Sequence, residues 1–547
     1  MPPLLRLAGM VQKCFEGDVI IGWIYGRSIF SAGARCFVVI YFSGSVGVVL
    51  KCVAVGCRKG SIIVIFSVVV RGLVVLLAVT LIVVALFSYA VNRLFSGRGV
   101  GVVRPRLMLD RYNAFGGYRG LCGFEKRGFF YVAERDGRLW LVDPLGCAFL
   151  SKGVNHVDPR GDWSPALGYS PYERAVRDRY GGFEAWVEET VVRLRSWGFN
   201  TVGSWSYQGL FDQMPYTVIL DVMASYGFDW VSGRVPDVFS SEFEAHVERV
   251  ASEKCAQRAR DPLLIGYFLD NELRWGPDWR SPRHLLDDFV KLPAGSPGKR
   301  EAARALLDAF GGDLGKLGSA LGVQLRSLDD LLAYTGDLPA SGGFDEARRI
   351  FLRRFAERYF SVAASAVRRH DPNHLILGVR FAGVPPREVL EAAAEYVDVV
   401  TVNIYTWRPH DPPVEALRSV HEVTGKPVMV TEFSYKAMDS GLPNTRGAGE
   451  PVQTQRERAY LAARYALAVV EQPFAVGYHW FQYMDQPAQG RFDGENSNFG
   501  LVKIDDEPWE LLTQAFSLVN SRAEDVHAGA VNASDVLAQV ADLVKRG

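Results

Sequence analysis

The chain has 547 residues, of which 48% are hydrophobic, and 61 basic residues balance 61 acidic ones to a formal net charge of +0. That length allows one large domain with appendages or several smaller domains, and the neutral balance argues against nucleic acid as a partner. Seven cysteines without a CxxC pair exclude a zinc ribbon and a disulfide framework, and leave room for a single bridge.

Residues 1–106 form a hydrophobic N-terminal region with very few acidic side chains. Within it, "GLVVLLAVTLIVVALFSYAV" from Gly72 to Val91 carries no charge and has the length that spans a bilayer. Few soluble helices stay apolar on every face for so long, so the expectation is one transmembrane helix over 72–91. Arg58, Lys59 and Arg71 precede it and Arg93, Arg98, Arg104 and Arg106 follow it, so the positive-inside rule gives no clear orientation. The expected location is membrane-anchored with an extracellular catalytic domain. It becomes cytoplasmic if translation begins near Met108.

Residues 107–148 read as a β-hairpin lead-in. In "GFFYVAERDGRLWLVDPLGCAFLSKGVNHV" apolar and polar residues alternate about Asp136-Gly137 and Pro144-Leu145-Gly146, which are turn sequences. Residues 149–520 then alternate eight short apolar runs with helical patterns. The runs begin with Phe149–Val157, Phe199–Trp205, Tyr216–Met223 and Leu263–Glu272. They continue with Leu375–Phe381, Val397–Tyr405, Lys426–Phe433 and Phe474–Tyr483. Such alternation implies parallel strands covered on both faces. The expected fold class is α/β, a (β/α)₈ TIM barrel with a helical insertion at about 277–343 and a C-terminal helical tail over 521–547.

In such a barrel the active site forms at the C-terminal ends of the strands. The fourth run ends in Asp270-Asn271-Glu272, and the seventh in Glu432. Other polar or aromatic residues at run ends are Asn155 and His156, Arg380, Asn403 and Tyr405, and His479 and Trp480. Two facing glutamates can cleave a glycosidic bond. One protonates the leaving oxygen while the other, ionised and about 5.5 Å away in a retaining enzyme, attacks the anomeric carbon. Burial and the second carboxylate would keep the proton on the first. Each residue also has a plainer reading: Asn271 as the N-cap of a following helix, Arg380 as an ion-pair partner, His479 and Trp480 as packing. A metal-dependent barrel hydrolase would need convergent histidine and carboxylate ligands. The chain has nine histidines and no HxH, so no metal and no cofactor are expected.

These residues resemble the retaining (β/α)₈-barrel glycoside hydrolases of clan A. Three segments, "LWLVDPLGCAFLSKGVNHV", "LIGYFLDNEL" and above all "GYHWFQYMDQPAQGRFDGENSNFGLVKIDDEPW" (Gly477 to Trp509), resemble the β-agarases of glycoside hydrolase family fifty. The resemblance covers most of the chain from Phe129 to Ser517. It implies that Glu272 is the general acid/base, Glu432 the nucleophile, Asn271 a partner of the sugar 2-hydroxyl, and Trp480 the aromatic floor under the −1 sugar. Tyr405 would hold the nucleophile. Asn155, His156, Arg380, Asp485 and Glu495 would contact substrate, with Arg491, Asp493 and Asn496 as further subsite candidates; Asn403 and His479 are substrate-contact candidates from their places at run ends alone. The implied partner is a carbohydrate, a galactan-type or related β-linked chain. A transglycosylase or a β-galactosidase using the same two glutamates is the alternative.

Overall fold

The computed structural model describes residues 37–42, 48–53, 111–406, 408 and 410–546. The chain divides into two compact units, Met1–Val102 and Val103–Gly547. In the first, strands β1 (Phe37–Phe42) and β2 (Val48–Val53) pair antiparallel. The expected membrane helix at 72–91 lies outside the described residues. Among those described, no helix is long and apolar enough to cross a membrane.

The second unit opens with a four-stranded antiparallel sheet. Its strands are β3 (Tyr118–Cys122), β4 (Tyr131–Arg135), β5 (Arg138–Val142) and β6 (Cys147–Phe149), in spatial order β3-β6-β5-β4. β4 and β5 pair directly across Asp136-Gly137, both at positive φ (55° and 70°), as a tight hairpin turn requires. A disulfide joins Cys122 on β3 to Cys147 on β6.

Nine parallel strands follow. They are β7 (Ser151–Val154), β8 (Thr201–Val202), β9 (Tyr216–Ile219), β10 (Leu264–Phe268), β11 (Leu375–Ile376), β12 (Phe381–Ala382), β13 (Val400–Asn403), β14 (Val428–Phe433) and β15 (Ala475–Trp480). Their spatial order is β11-β10-β9-β8-β7-β15-β14-β13-β12. The two outermost strands, β11 and β12, are parts of one continuous segment interrupted only between Leu377 and Arg380. The sheet therefore curls until both of its ends meet the same stretch of chain. Helices connect the strands and cover the outer face. Several begin at side-chain caps, such as Ser240 before Ser241–Lys254 and Thr454 before Gln455–Val470.

The interior is layered. Phe130, Leu141 and Phe149 of the antiparallel sheet form one buried cluster with Ile265, Phe268, Leu377, Val399, Met429 and Val476 of the parallel segments. The lead-in sheet thus packs into the curled sheet from the end where the parallel strands begin. Burying each large apolar side chain there contributes about 1.5–3 kcal/mol. Polar residues appear further along the strands, so this apolar layer lies beneath them.

The expected insertion is helical. It contains Leu285–Phe289, Pro297–Ala309, Leu314–Leu321 and Leu328–Ala333, and leads into the long helix Gly343–His370. Arg348 on that helix pairs with Asp287 (3.0 Å), and Arg274 pairs with Asp288, so the insertion is fastened to the segment that follows β10.

Candidate active site

The three polar residues after β10 point in different directions. Asp270 is fully buried and turns away from the strand ends. It accepts from the backbone N–H groups of Met223 (2.9 Å) and Ala224 (3.1 Å) and from the Tyr359 hydroxyl (2.6 Å). It thereby pins the turn after β9, and burial pushes its carboxyl up to about 7. No helix begins at Asn271. The next starts at Leu285, so the helix-capping reading fails. Instead the Asn271 Oδ1 accepts from Arg380 Nη1 (2.8 Å) and Asn403 Nδ2 (3.1 Å). Glu272 is half-buried, and its Oε1 accepts from the same Asn403 amide (3.1 Å).

Glu432, near the end of β14, is 5% exposed. Its Oε1 pairs with Arg380 Nη2 (3.0 Å), and its Oε2 accepts from the Tyr405 hydroxyl (2.8 Å). Both oxygens are therefore oriented. Burial pushes the Glu432 carboxyl up, Arg380 and the tyrosine hydroxyl pull it down and the Glu272 charge pushes it up, and the outcome is a carboxyl raised to about 7. Arg380 is fully buried and ties the site together. Besides Glu432 and Asn271, its guanidinium donates to the Thr431 carbonyl (2.9 Å) and Asn155 Oδ1 (3.3 Å). Asn155 donates in turn to the Thr431 carbonyl (2.8 Å), and Thr431 Oγ1 donates to Asn403 Oδ1 (2.8 Å). Five strand ends thus hold the two glutamates in a single network.

The backbone at this rim is unusual. His156, Trp205, Asp221, Glu272 and Arg380 have φ between 49° and 58°, the left-handed region that non-glycine residues rarely adopt. Each follows a parallel strand or interrupts the fifth strand segment. Strain of this kind costs on the order of 1–3 kcal/mol per residue and gathers where side chains must be aimed.

Other sequence candidates lie apart from the carboxylates. His479 is fully buried inside the sheet, and its Nε2 meets the Ser151 hydroxyl at 2.8 Å. Desolvation lowers its pKa to about 3, so the ring is neutral. Trp480 faces outward. It is 0% exposed, packs edge-on against Phe433 and Phe516, and donates its indole N–H to the Phe499 carbonyl (2.8 Å). The structure leaves it no free face for a sugar. Asp485 accepts from Asn498 (2.8 Å), the Gly500 N–H (2.8 Å) and the Trp509 indole (2.9 Å), which fastens the loop after β15.

That loop also returns residues to the site. Glu495 accepts from Gln486 (2.7 Å), pairs with Arg491 (2.8 Å), and feels the charge of Glu272. Arg491 also pairs with Asp493 (2.8 Å) and approaches Asp162 (3.9 Å). His156 lies 3.7 Å from Asp162 and 3.4 Å from Gln482. Asn496 holds the turn at Thr445 and Arg446 through their backbone N–H groups. Among the described residues, no group of histidines, cysteines and carboxylates could hold a metal.

Sequence reasoning missed Thr431, Asp162, Gln482, Gln486 and Trp205. Trp205 is 36% exposed and lies under the Arg380 guanidinium at 4.4 Å. Its place in the run "FNTVGSW" was the available signal, since it follows β8 as Glu272 follows β10.

No protein-family model matches the chain. It aligns with β-agarase A of Vibrio sp. (strain JT0107) at 29% identity over 445 residues, which is 70% of this chain and 44% of that protein. It aligns with β-agarase B of the same organism at 28% over 484 residues, 74% of this chain and 49% of the relative. The chain thus spans about half the length of the curated relatives it matches. Among solved structures, an exo-β-agarase is 25% identical with a TM-score of 0.68, over 79% of this chain and 72% of that one. An agarase is 26% identical with a TM-score of 0.67, over 80% and 70%. In sequence and in fold the chain is similar to the β-agarases of glycoside hydrolase family fifty.

Proposed function

We propose that this chain is a retaining β-glycoside hydrolase acting on an agarose-type β-linked galactan, with Glu432 as nucleophile and Glu272 as general acid/base. The observation that carries the reading is the shared network. Glutamates from the ends of β10 and β14 sit around Arg380, Asn271 and Asn403, and Glu432 is held on both oxygens. A nucleophile needs a fixed, ionised carboxylate. Arg380 and Tyr405 favour that form by charge and by hydrogen bonding. An acid/base must exchange its proton with leaving group and water, which suits the half-buried Glu272, bonded to the Asn403 amide. Asn271, linked to both glutamates through Arg380 and Asn403, would meet the 2-hydroxyl of a bound sugar.

The closing of the parallel sheet on the Leu375–Ala382 segment supports the (β/α)₈ reading. Eight strand positions then surround the site, with β11 and β12 sharing the fifth. The agarase relatives support the choice of substrate. The Cys122–Cys147 disulfide supports a catalytic unit exported to an oxidising compartment, in keeping with a membrane anchor at 72–91.

In the first step Glu432 attacks the anomeric carbon while Glu272 protonates the departing oxygen. In the second, Glu272 takes a proton from water, which displaces Glu432. Two inversions give net retention. Proton NMR of the first product formed from an agarose-type oligosaccharide tests this. A β-configured product is expected, and an initial α product would overturn the double displacement.

A further inference from the structure

The segment that carries Glu272 also carries an exposed aromatic side chain. Trp279 is 63% exposed, seven residues beyond Glu272 on the same irregular loop. Isolated exposed apolar side chains are common, but this one is built in place. Its ring lies 4.2 Å from the Arg280 guanidinium, which is also 5.5 Å from the Phe228 ring. The Arg280 side chain is only 2% exposed, and Asp278 grips it at 2.6 Å. Arg280 Nη1 donates to the Glu272 carbonyl (2.8 Å) and reaches the Trp230 carbonyl (3.5 Å). Trp230 and Trp279 meet edge to face at 6.4 Å. One buried cation therefore supports the indole from beneath and fixes the main chain of Glu272, which sits at φ 49°.

Exposed large apolar side chains are also concentrated at this end of the sheet. Trp163, Trp205, Val231, Val384 and Phe492 lie, like Trp279, on segments that follow parallel strands. Sugar rings present C–H faces that stack on aromatic surfaces, while their hydroxyls bond to polar neighbours. An indole held flat by a buried arginine is pre-organised for such stacking, so little ordering cost remains on binding.

The direction follows from the chemistry. Taking Glu272 as the acid/base, as proposed above, the departing sugar must have its oxygen within reach of Glu272. A platform fastened to the Glu272 main chain therefore lies on the leaving-group side. We propose that Trp279, supported by Arg280, is a stacking platform for a sugar of the leaving half of a β-linked galactan.

The test uses the full-length chain with Trp279→Ala and Trp279→Phe. Since the ring is exposed, both should fold. Calorimetric titration with an agarose-type oligosaccharide should show affinity about tenfold weaker for Trp279→Ala and nearly restored by Trp279→Phe, the scale of one aromatic contact. The second readout is kcat/KM for the oligosaccharide against an aryl glycoside with the same glycone, which offers no leaving-side sugar. In Trp279→Ala the ratio should fall about tenfold. Unchanged affinity, or an equal fall on both substrates, would overturn the proposal. An inactive wild-type chain that still binds through Trp279 would count against the hydrolase reading and not against the platform.

Discussion

Glu432 shows how one side chain can be pulled in opposing directions. Its burial disfavours charge, and Arg380 and Tyr405 restore it, leaving the carboxyl at about 7. If the ionised form attacks, as proposed, kcat/KM should be lost as pH falls through about 7. Removing the Arg380 charge takes away a term that favours the ionised form. In Arg380→Gln the acid limb should therefore move up by about one unit, equal to ~1.4 kcal/mol. A pH–rate profile for each protein checks this, and a downward shift would contradict it. Trp480 makes the opposite point. Its setting among Phe433, Phe516 and the Phe499 carbonyl makes it a core residue. Trp480→Ala should cost about 3–5 kcal/mol of stability, read as a fall in denaturant midpoint. Loss of substrate affinity in a variant of wild-type stability would restore it to the binding site.

At the scale of the elements, the turn after β9 depends on Asp270. Asp270→Ala would strand the Met223 and Ala224 N–H groups and the Tyr359 hydroxyl away from water. Unpaired groups of this kind cost about 1–3 kcal/mol each, so thermal denaturation should show a clear drop in Tm. Wild-type Tm would remove Asp270 from this role. The same residue marks what was legible in the sequence. Alternating apolar runs and helical patterns revealed the strands, and Asp136-Gly137 revealed the hairpin. The Asp-Asn-Glu ending of the fourth run marked a polar cluster at a strand end but not its division of labour, because only the turn it meets separates Asp270, a pin, from Asn271 and Glu272. Side-chain parity was also hidden. Strands buried on both faces carry no polar alternation, so nothing in "GYHW" distinguishes His479, which faces Ser151, from Trp480, which faces the helices. Arg380, Asn403 and Tyr405 were legible because polar groups at strand ends are rare in apolar runs. Arg280 donates to the Glu272 carbonyl and Thr431 accepts from Arg380 through its own carbonyl, and backbone contacts of this kind leave no trace in sequence.

Across the whole second unit, apolar and polar layers succeed one another along the parallel strands. The antiparallel sheet fills one end, neutral His479 and buried Arg380 lie further in, and the glutamates stand at the other end. The disulfide that closes the lead-in sheet belongs to this scale as well. If the unit matures in an oxidising compartment, alkylation without prior reduction should leave Cys122 and Cys147 unlabelled in protein recovered from its native host. Labelling of both would place the unit in a reducing compartment.

Under the proposed mechanism Glu432, and not Glu272, becomes covalently bonded to sugar. Glu272→Ala should still be attacked by activated substrates, which leave without a proton, yet have no base to drive water onto the intermediate. A glycosyl-enzyme should therefore accumulate when this variant is mixed with an activated glycoside, and peptide mass spectrometry should locate the sugar on Glu432. A label on any other residue, or a Glu432→Ala variant that hydrolyses substrate at the wild-type rate, would contradict the account.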